Sequence, residues 1–149
     1  MGSIAALIVL DTNVLVRALV EPDEEYNRWM TEAAQNLFIA AENGEVTLTA
    51  STAVVSEAAF ILTSKRLYAL SPGEVADRLA PLLRLNNLYL EQKPETLRAL
   101  EIWVDRPSRG FVDSLVIAQA ERSGNTIASF DDAVNRATSL EPYAWNPSS

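Results

Sequence analysis

The fold of this chain is decided near its beginning, where residues 5–13 have the sequence AALIVLDTN. Residues 5–10 are apolar and rich in Ile, Val and Leu, without alternating polar positions. Such a run is typical of a strand that is buried on both faces of a parallel sheet. Asp11, Thr12 and Asn13 come next, and these residue types favour turns and helix N-caps. The stretch therefore predicts a buried strand that passes directly into a helix.

Outward from this stretch, helical and strand patterns alternate along the chain. Helices are predicted at residues 14–20, 23–43, 53–63, 72–84, 94–104 and 111–122. Further strands are predicted at residues 46–49, 88–90 and 126–130, with a last one at residues 140–145. Strands that are joined by helices imply right-handed crossovers and a parallel sheet covered on both faces. We therefore expect a single α/β domain over residues 1–149.

The absent residue types exclude several classes of chemistry. The chain has 149 residues and contains no Cys and no His. Disulfides, thiolate zinc sites, cysteine nucleophiles, Ser-His-Asp triads and histidine-ligated zinc are therefore excluded. The lack of Cys suits a reducing compartment, and we expect a cytoplasmic protein. The apolar run at residues 4–10 is far shorter than the roughly 18 residues that a membrane span requires, so no membrane association is expected.

The charge balance is acidic, since 20 Asp and Glu against 12 Lys and Arg give a net charge of −8. A surface that binds polyanions over its whole extent would be basic. Two explanations stay open: the acids keep the protein soluble, or some of them cluster as a cation site. Ten of the twelve bases are Arg, which is the better residue for bidentate phosphate contacts.

Four acids stand out by their positions. Asp11 and Asp131 each follow a predicted strand, and functional groups collect at the carboxyl ends of strands in an open parallel sheet. For each of these two, the ordinary alternative is a helix N-cap. Glu57 has apolar helical neighbours, so it needs a cation, strong hydrogen bonds or a structural partner such as a buried Arg. Asp113 lies in the first turn of a helix, and Arg109 is its alternative local partner.

Three or four converging carboxylates, in a chain without His or Cys, would form a site made of oxygen ligands alone. Oxygen ligands favour Mg²⁺ or Mn²⁺ over zinc or copper. A cation held in this way assists displacement at phosphorus, because it activates water and neutralises the leaving oxygen. The four acids therefore predict metal-dependent chemistry on phosphate esters.

Four short motifs resemble those of PIN-domain ribonucleases, especially VapC-type toxins, and they occur in the family's order. They are DTNVL at residues 11–15, VVSE at 54–57, FVDSLVIA at 111–118 and SFD at 129–131. The resemblance implies a three-layer α/β/α fold with a central parallel sheet, and metal-dependent hydrolysis of RNA phosphodiesters. It also implies that Mg²⁺ or Mn²⁺ is held by four acids, namely Asp11, Glu57, Asp113 and Asp131.

The resemblance extends to residues around the acids. Asn13 and Ser129 would orient the acids without binding the metal. Asp132 is a rival to Asp131, because both fit the turn, but only Asp131 fits the spacing of the family. Three arginines close in sequence to Asp113 are candidate phosphate contacts or, alternatively, solvated surface residues: Arg98, Arg106 and Arg109.

A toxin of this type implies protein partners as well as an RNA substrate. VapC-type toxins are usually held inactive by a cognate antitoxin, and a carboxylate pocket suits an Arg from its tail. We expect such an antitoxin and a homodimer. Trp29, Leu37 and Phe38 are candidates for either contact, with core packing as the alternative.

Three other functions compete with this interpretation. A haloacid-dehalogenase-like phosphatase has an acid two residues after the one that ends its first strand, where this chain has Asn13. A receiver domain requires a Lys after its fifth strand, and neither Lys65 nor Lys93 lies there. The third is a non-catalytic PIN-like module that binds RNA or protein, and metal-dependent cleavage of RNA separates it from a nuclease.

Overall fold

The computed structural model of the protein describes residues 6–22 and 24–146. The first residue of the predicted opening strand, Ala5, and the predicted helix start at Asp23 lie outside the described residues. The chain forms two compact units, Met1–Lys93 and Pro94–Ser149, and each is described by itself. The single domain expected over residues 1–149 stays a prediction.

The first unit is built around a parallel sheet of three described strands. They lie in the order β1-β2-β3 and comprise Ala6–Val9, Val46–Ala50 and Leu88–Leu90. Both pairs are parallel, and the register aligns Val9 with Thr49 and Thr49 with Tyr89. This arrangement confirms the α/β fold class with a parallel sheet and all three of the corresponding strand predictions.

Four helices connect and cover these strands. They are α1 (Thr12–Leu19), α2 (Arg28–Glu42), α3 (Thr52–Thr63) and α4 (Pro72–Leu83). Helix α1 packs on α2 and α3, while α2 contacts β2 and α4 contacts β3. The single helix predicted for residues 23–43 is wrong at its start. A 3₁₀ turn at Glu25–Asn27, closed by a bond from the Asn27 amide to the Glu24 carbonyl, precedes α2.

Within this unit the helices cover one face of the sheet. Leu48, Leu88 and Leu90 are buried, whereas Leu7 and Val9 on β1 are 74% and 83% exposed. Side chains alternate between the faces of a strand, so the exposed positions belong to the face that these helices leave open. The prediction that β1 is buried on both faces is therefore wrong for the first unit taken alone.

Two serines begin helices as the sequence predicts. The Ser51 hydroxyl accepts a hydrogen bond from the Val54 amide at 3.3 Å. The Ser71 hydroxyl accepts from the Glu74 amide at 3.1 Å and donates to the Glu74 carboxylate at 3.2 Å. Each bond satisfies an amide that a helix N-terminus would otherwise leave unpaired.

The second unit is helical. It contains most of α5 (Lys93–Asp105), a 3₁₀ turn at Pro107–Arg109, α6 (Phe111–Ser123) and the short helix α7 (Asp132–Asn135). The rings of Trp103 and Phe111 meet edge to face at 5.6 Å and join the end of α5 to the start of α6. None of the described helices in either unit is long and apolar enough to cross a membrane.

The strands predicted at residues 126–130 and 140–145 are not formed. The two segments share a backbone hydrogen bond, from the Tyr143 amide to the Ile127 carbonyl at 2.8 Å. The Ser129 carbonyl accepts instead from two side chains, the Asn135 amide at 2.9 Å and the Trp145 indole at 3.4 Å. Because side chains use the carbonyl that a ladder would need, the segment lacks the repeated pairing of a strand.

Candidate acidic site

Asp11 lies between β1 and α1, and its carboxylate forms no bond to the described part of the protein. Its backbone is extended, with φ −93° and ψ 155°, and it occupies the N-cap position of α1 without a capping bond from its side chain. The side chain is exposed and forms no hydrogen bond or ion pair with any described residue. The N-cap alternative is therefore right for the position of Asp11 but not for its side chain, which caps no amide and leaves both carboxylate oxygens available to a ligand.

Glu57 projects from α3 and is held by α1. The hydroxyl of Thr12, a residue that is only 4% exposed, donates to Glu57 Oε2 at 3.0 Å. This bond joins two residues 45 positions apart and places Glu57 beside the residue that follows Asp11. Among the described residues its partner is thus a hydroxyl and not the buried Arg considered as an alternative.

The surroundings of Glu57 differ from those inferred from its neighbours in sequence. Glu57 itself is exposed, and so are Ala53 and Phe60 on the same helix. The carboxylate is therefore not enclosed by apolar side chains, so burial does not require that a cation neutralise it. The bond from Thr12 holds the carboxylate instead, whereas the sequence indicated only a turn or a helix N-cap at Thr12.

Asp113 lies in the first turn of α6, where the helix dipole favours a negative charge by roughly 0.3–1 kcal/mol. Gly110 precedes the helix with φ +82°, a conformation that residues with a Cβ rarely adopt. The buried Ser114 hydroxyl donates to the Gly110 carbonyl at 2.8 Å and fixes this turn. Asp113 forms no ion pair with Arg109 in the described part of the chain, so the local-pair alternative is wrong.

Asp131 is the acid that does cap a helix. Its Oδ1 accepts from the Ala133 amide at 2.8 Å at the start of α7. Its own amide donates to the Ser129 hydroxyl at 3.0 Å, so Ser129 orients the backbone of Asp131. The cap engages Oδ1, and no described residue donates to Oδ2. Asp132 is exposed and caps nothing.

The three candidate phosphate-binding arginines are not equivalent. Arg98 bonds to Glu121 at 3.1 Å and to Glu101 at 2.9 Å, and these bonds hold its pKa above the usual value. Arg98 is therefore already engaged by carboxylates. Arg106 and Arg109 form no ion pair with the described residues and stay candidates.

An apolar groove of about 690 Å³ lies in the first unit between α1, α2 and the end of α3. Trp29 and Leu37 line it, and Trp29 is 66% exposed. Phe38 is only 4% exposed and belongs to the core, which confirms the core-packing alternative for this residue. Asn13 lines the same groove and forms no hydrogen bond to a described residue, so its orienting role stays a prediction.

The four acids fall in pairs on the two units. Asp11 and Glu57 belong to the first unit, where Thr12, the residue after Asp11, donates to Glu57, and Asp113 and Asp131 belong to the second. Within each unit, the described residues include no group of three or more acids arranged to hold a metal ion. A site formed by all four acids stays a prediction.

Comparison of the sequence with models of known protein families finds a match. A family model described as "PIN domain" matches residues 8–140, which is most of the chain and includes all four acids. No match was found among the curated proteins.

The bond between Thr12 and Glu57 predicts an energetic coupling. Thr12→Val keeps the shape of the side chain and removes the donor, and Glu57→Leu removes the acceptor oxygens. Chemical denaturation of both single variants and the double variant should give a coupling of about 0.5–1.5 kcal/mol, the usual net value of such a bond. Thr63→Val is the matched control, because its hydroxyl bonds to the Ala59 carbonyl on α3. Additive effects of Thr12→Val and Glu57→Leu would contradict the coupling.

Proposed function

Because the chain belongs to the PIN domain family, whose members are generally nucleases, we propose that it is a metal-dependent endoribonuclease. Its substrate would be RNA, and the reaction would be hydrolysis of a phosphodiester bond. The observation that carries the proposal is the free carboxylate of Asp11, which follows β1 directly and makes no cap. A structural acid at that position would be expected to bond to the amides of α1.

The donor set suits a hard divalent cation. We propose that Asp11, Glu57, Asp113 and Asp131 hold Mg²⁺ or Mn²⁺, which prefer carboxylate oxygens. The local geometry is compatible with this role, because each acid has at least one oxygen without a described hydrogen bond. When bound, the cation would supply positive charge that lowers the pKa of water and offsets charge developing on the phosphate.

The side chains have separate tasks in the proposed hydrolysis. Water adds to phosphorus in line with the leaving oxygen, the bond from phosphorus to that oxygen breaks, and the leaving oxygen takes a proton from solvent water. One of the four carboxylates accepts the proton that the attacking water loses. Thr12 holds the Glu57 carboxylate, and the amide of Ala133 holds that of Asp131, so neither acid has to be ordered during the reaction.

Two adjacent acids, Asp131 and Asp132, allow a test of the proposed catalytic role of Asp131. Asp131→Asn keeps an oxygen that can accept from the Ala133 amide but removes the charge, so stability should change little. RNA cleavage should fall by about a hundredfold or more, the scale of losing an electrostatic catalytic group. Asp132→Asn removes a charge one residue away and should leave cleavage nearly intact. The measurement is the rate of metal-dependent cleavage across a panel of RNAs.

Two results would overturn this proposal. Equal losses in the two variants would show that only the local charge matters. A wild-type protein that binds RNA in Mg²⁺ or Mn²⁺ without cutting it would instead be a non-catalytic binding module.

We further propose that the protein is the toxin of a cytoplasmic toxin–antitoxin pair and that the groove holds a segment of the antitoxin. The exposed indole of Trp29 would pack against its apolar side chains. Arg17 lines the groove and has no ion pair among the described residues, and Lys65 and Arg66 precede the lining residue Leu67. These charges favour an amphipathic segment with acidic residues.

The binding experiment uses the protein encoded by a small gene next to the gene of this chain, as the proposed antitoxin. Trp29→Ala should weaken the binding of this protein at least tenfold, as measured by calorimetry. Arg17→Glu should also weaken it, and by more at low salt than at high salt, because salt screens the charges. Tyr89→Ala, which changes an exposed aromatic away from the groove, should have no effect. Unchanged binding by Trp29→Ala would refute the groove assignment. Conversion of a wild-type homodimer to a monomer by Trp29→Ala would assign the groove to a second copy of the chain.

A further inference from the structure

An exposed aromatic cluster lies beside one of the proposed metal ligands. It consists of Phe130, Tyr143 and Trp145, and we call it the aromatic platform. Phe130 and Trp145 stack with ring centroids 4.5 Å apart and planes inclined by 20°. Tyr143 meets Trp145 edge to face at 4.8 Å. Phe130 is 86% exposed although one face of its ring is against Trp145, so the opposite face is open to a ligand.

The platform is ordered by bonds to the backbone around it. The Trp145 indole donates to the Ser129 carbonyl, and the Tyr143 amide donates to the Ile127 carbonyl at 2.8 Å. Both bonds tie residues of the C-terminal segment to the segment that carries Phe130. A ring held in this way loses little conformational freedom when a flat ligand stacks on it.

Phe130 is also adjacent in sequence to one of the proposed metal ligands. It is the residue before Asp131, whose carboxylate is fixed by the Ala133 amide and whose own amide is bound by Ser129. The backbone therefore holds Phe130 one residue away from an acid that would take part in cleavage.

The charge of the protein favours stacking over phosphate contacts at this place. The net charge is −8, and Asp131 and Asp132 follow Phe130 directly. An acidic surface gains little from releasing the counterions of a polyanion, which is the usual source of affinity for nucleic acids. Bases stack on aromatic rings whatever the charge, and only unpaired bases expose a free face for this purpose.

From these observations we infer that the aromatic platform binds an unpaired base of the RNA substrate by stacking on Phe130. The inference rests on the proposed nuclease function and narrows its substrate to single-stranded RNA. Trp145 is a positioning residue, because it supports the ring from the other side. The stacked base belongs to a nucleotide that flanks the cleaved bond.

Kinetics test this role first. Phe130→Leu removes the ring but keeps an apolar side chain, and KM for a single-stranded RNA should rise about 5- to 150-fold, with a smaller change in kcat. Phe130→Trp should restore a KM near the wild-type value. Tyr26→Leu is the matched control, because Tyr26 is also largely exposed but lies in the first unit. An unchanged KM for Phe130→Leu, or the same rise for Tyr26→Leu, would overturn the inference.

A binding measurement separates this inference from the proposed catalysis. An oligoribonucleotide that contains 2-aminopurine is added in the presence of a chelator, and its fluorescence is quenched when the base stacks. Wild type and Phe130→Trp should quench it, and Phe130→Leu should not, while a duplex with the same sequence should be bound far more weakly. Equal quenching by wild type and Phe130→Leu, or none by either, would refute the platform. An inactive wild type that quenches would refute only the nuclease proposal.

Discussion

The parallel pairing of β1 with β2 is the constraint on which the first unit depends. The Leu10 amide donates to the Thr49 carbonyl at 2.8 Å and continues the ladder one residue beyond β1. The two strands therefore end at the same edge of the sheet, and α1 and α3 begin there at nearly the same level. This register allows the Thr12 hydroxyl to reach Glu57 across 45 residues of chain. A shift of one residue would turn the strand side chains to opposite faces and remove this alignment.

The local environments of the acids follow from how each connection is capped. The Ser51 side chain satisfies the Val54 amide at the start of α3, and Glu57, further along the same helix, accepts from Thr12. Asp131 satisfies an amide of α7, so its side chain is rigid but retains one oxygen. Asp11 caps nothing, and its carboxylate has no described partner in the fold. Such an acid contributes little to stability, which is compatible with the metal-binding role proposed for Asp11.

The elements that follow from local chemistry were predictable from the sequence. Apolar runs marked the three strands, and Ser51 and Ser71 marked helix starts through bonds to amides three residues ahead. The strand predicted at residues 126–130 failed because a strand also needs a partner, and Asn135 and Trp145 occupy the Ser129 carbonyl. Composition alone does not reveal such long-range competition.

The sequence identified the acids of the candidate site but not the bonds that their side chains form. The motifs marked Asp11, Glu57, Asp113 and Asp131, but not which of them caps a helix. The link from Thr12 to Glu57 depends on strand register, which the sequence leaves unspecified. Arg98 has one partner that sequence spacing could have indicated, Glu101 three residues ahead on the same helix, and one that it could not, Glu121 on another helix 23 residues away. The exposure of Glu57 was missed because helical periodicity identifies a residue's neighbours but not whether other elements cover them.

Thermal unfolding is the most direct test of whether these carboxylates form the proposed cation site. Millimolar Mg²⁺ or Mn²⁺ should raise Tm, because a ligand that binds only the folded state stabilises it by mass action. Asp11→Asn should remove most of this rise while leaving the metal-free protein at least as stable as wild type, since it relieves repulsion among acids and breaks no described bond. If neither ion shifts the Tm of the wild-type protein, the cation site is contradicted.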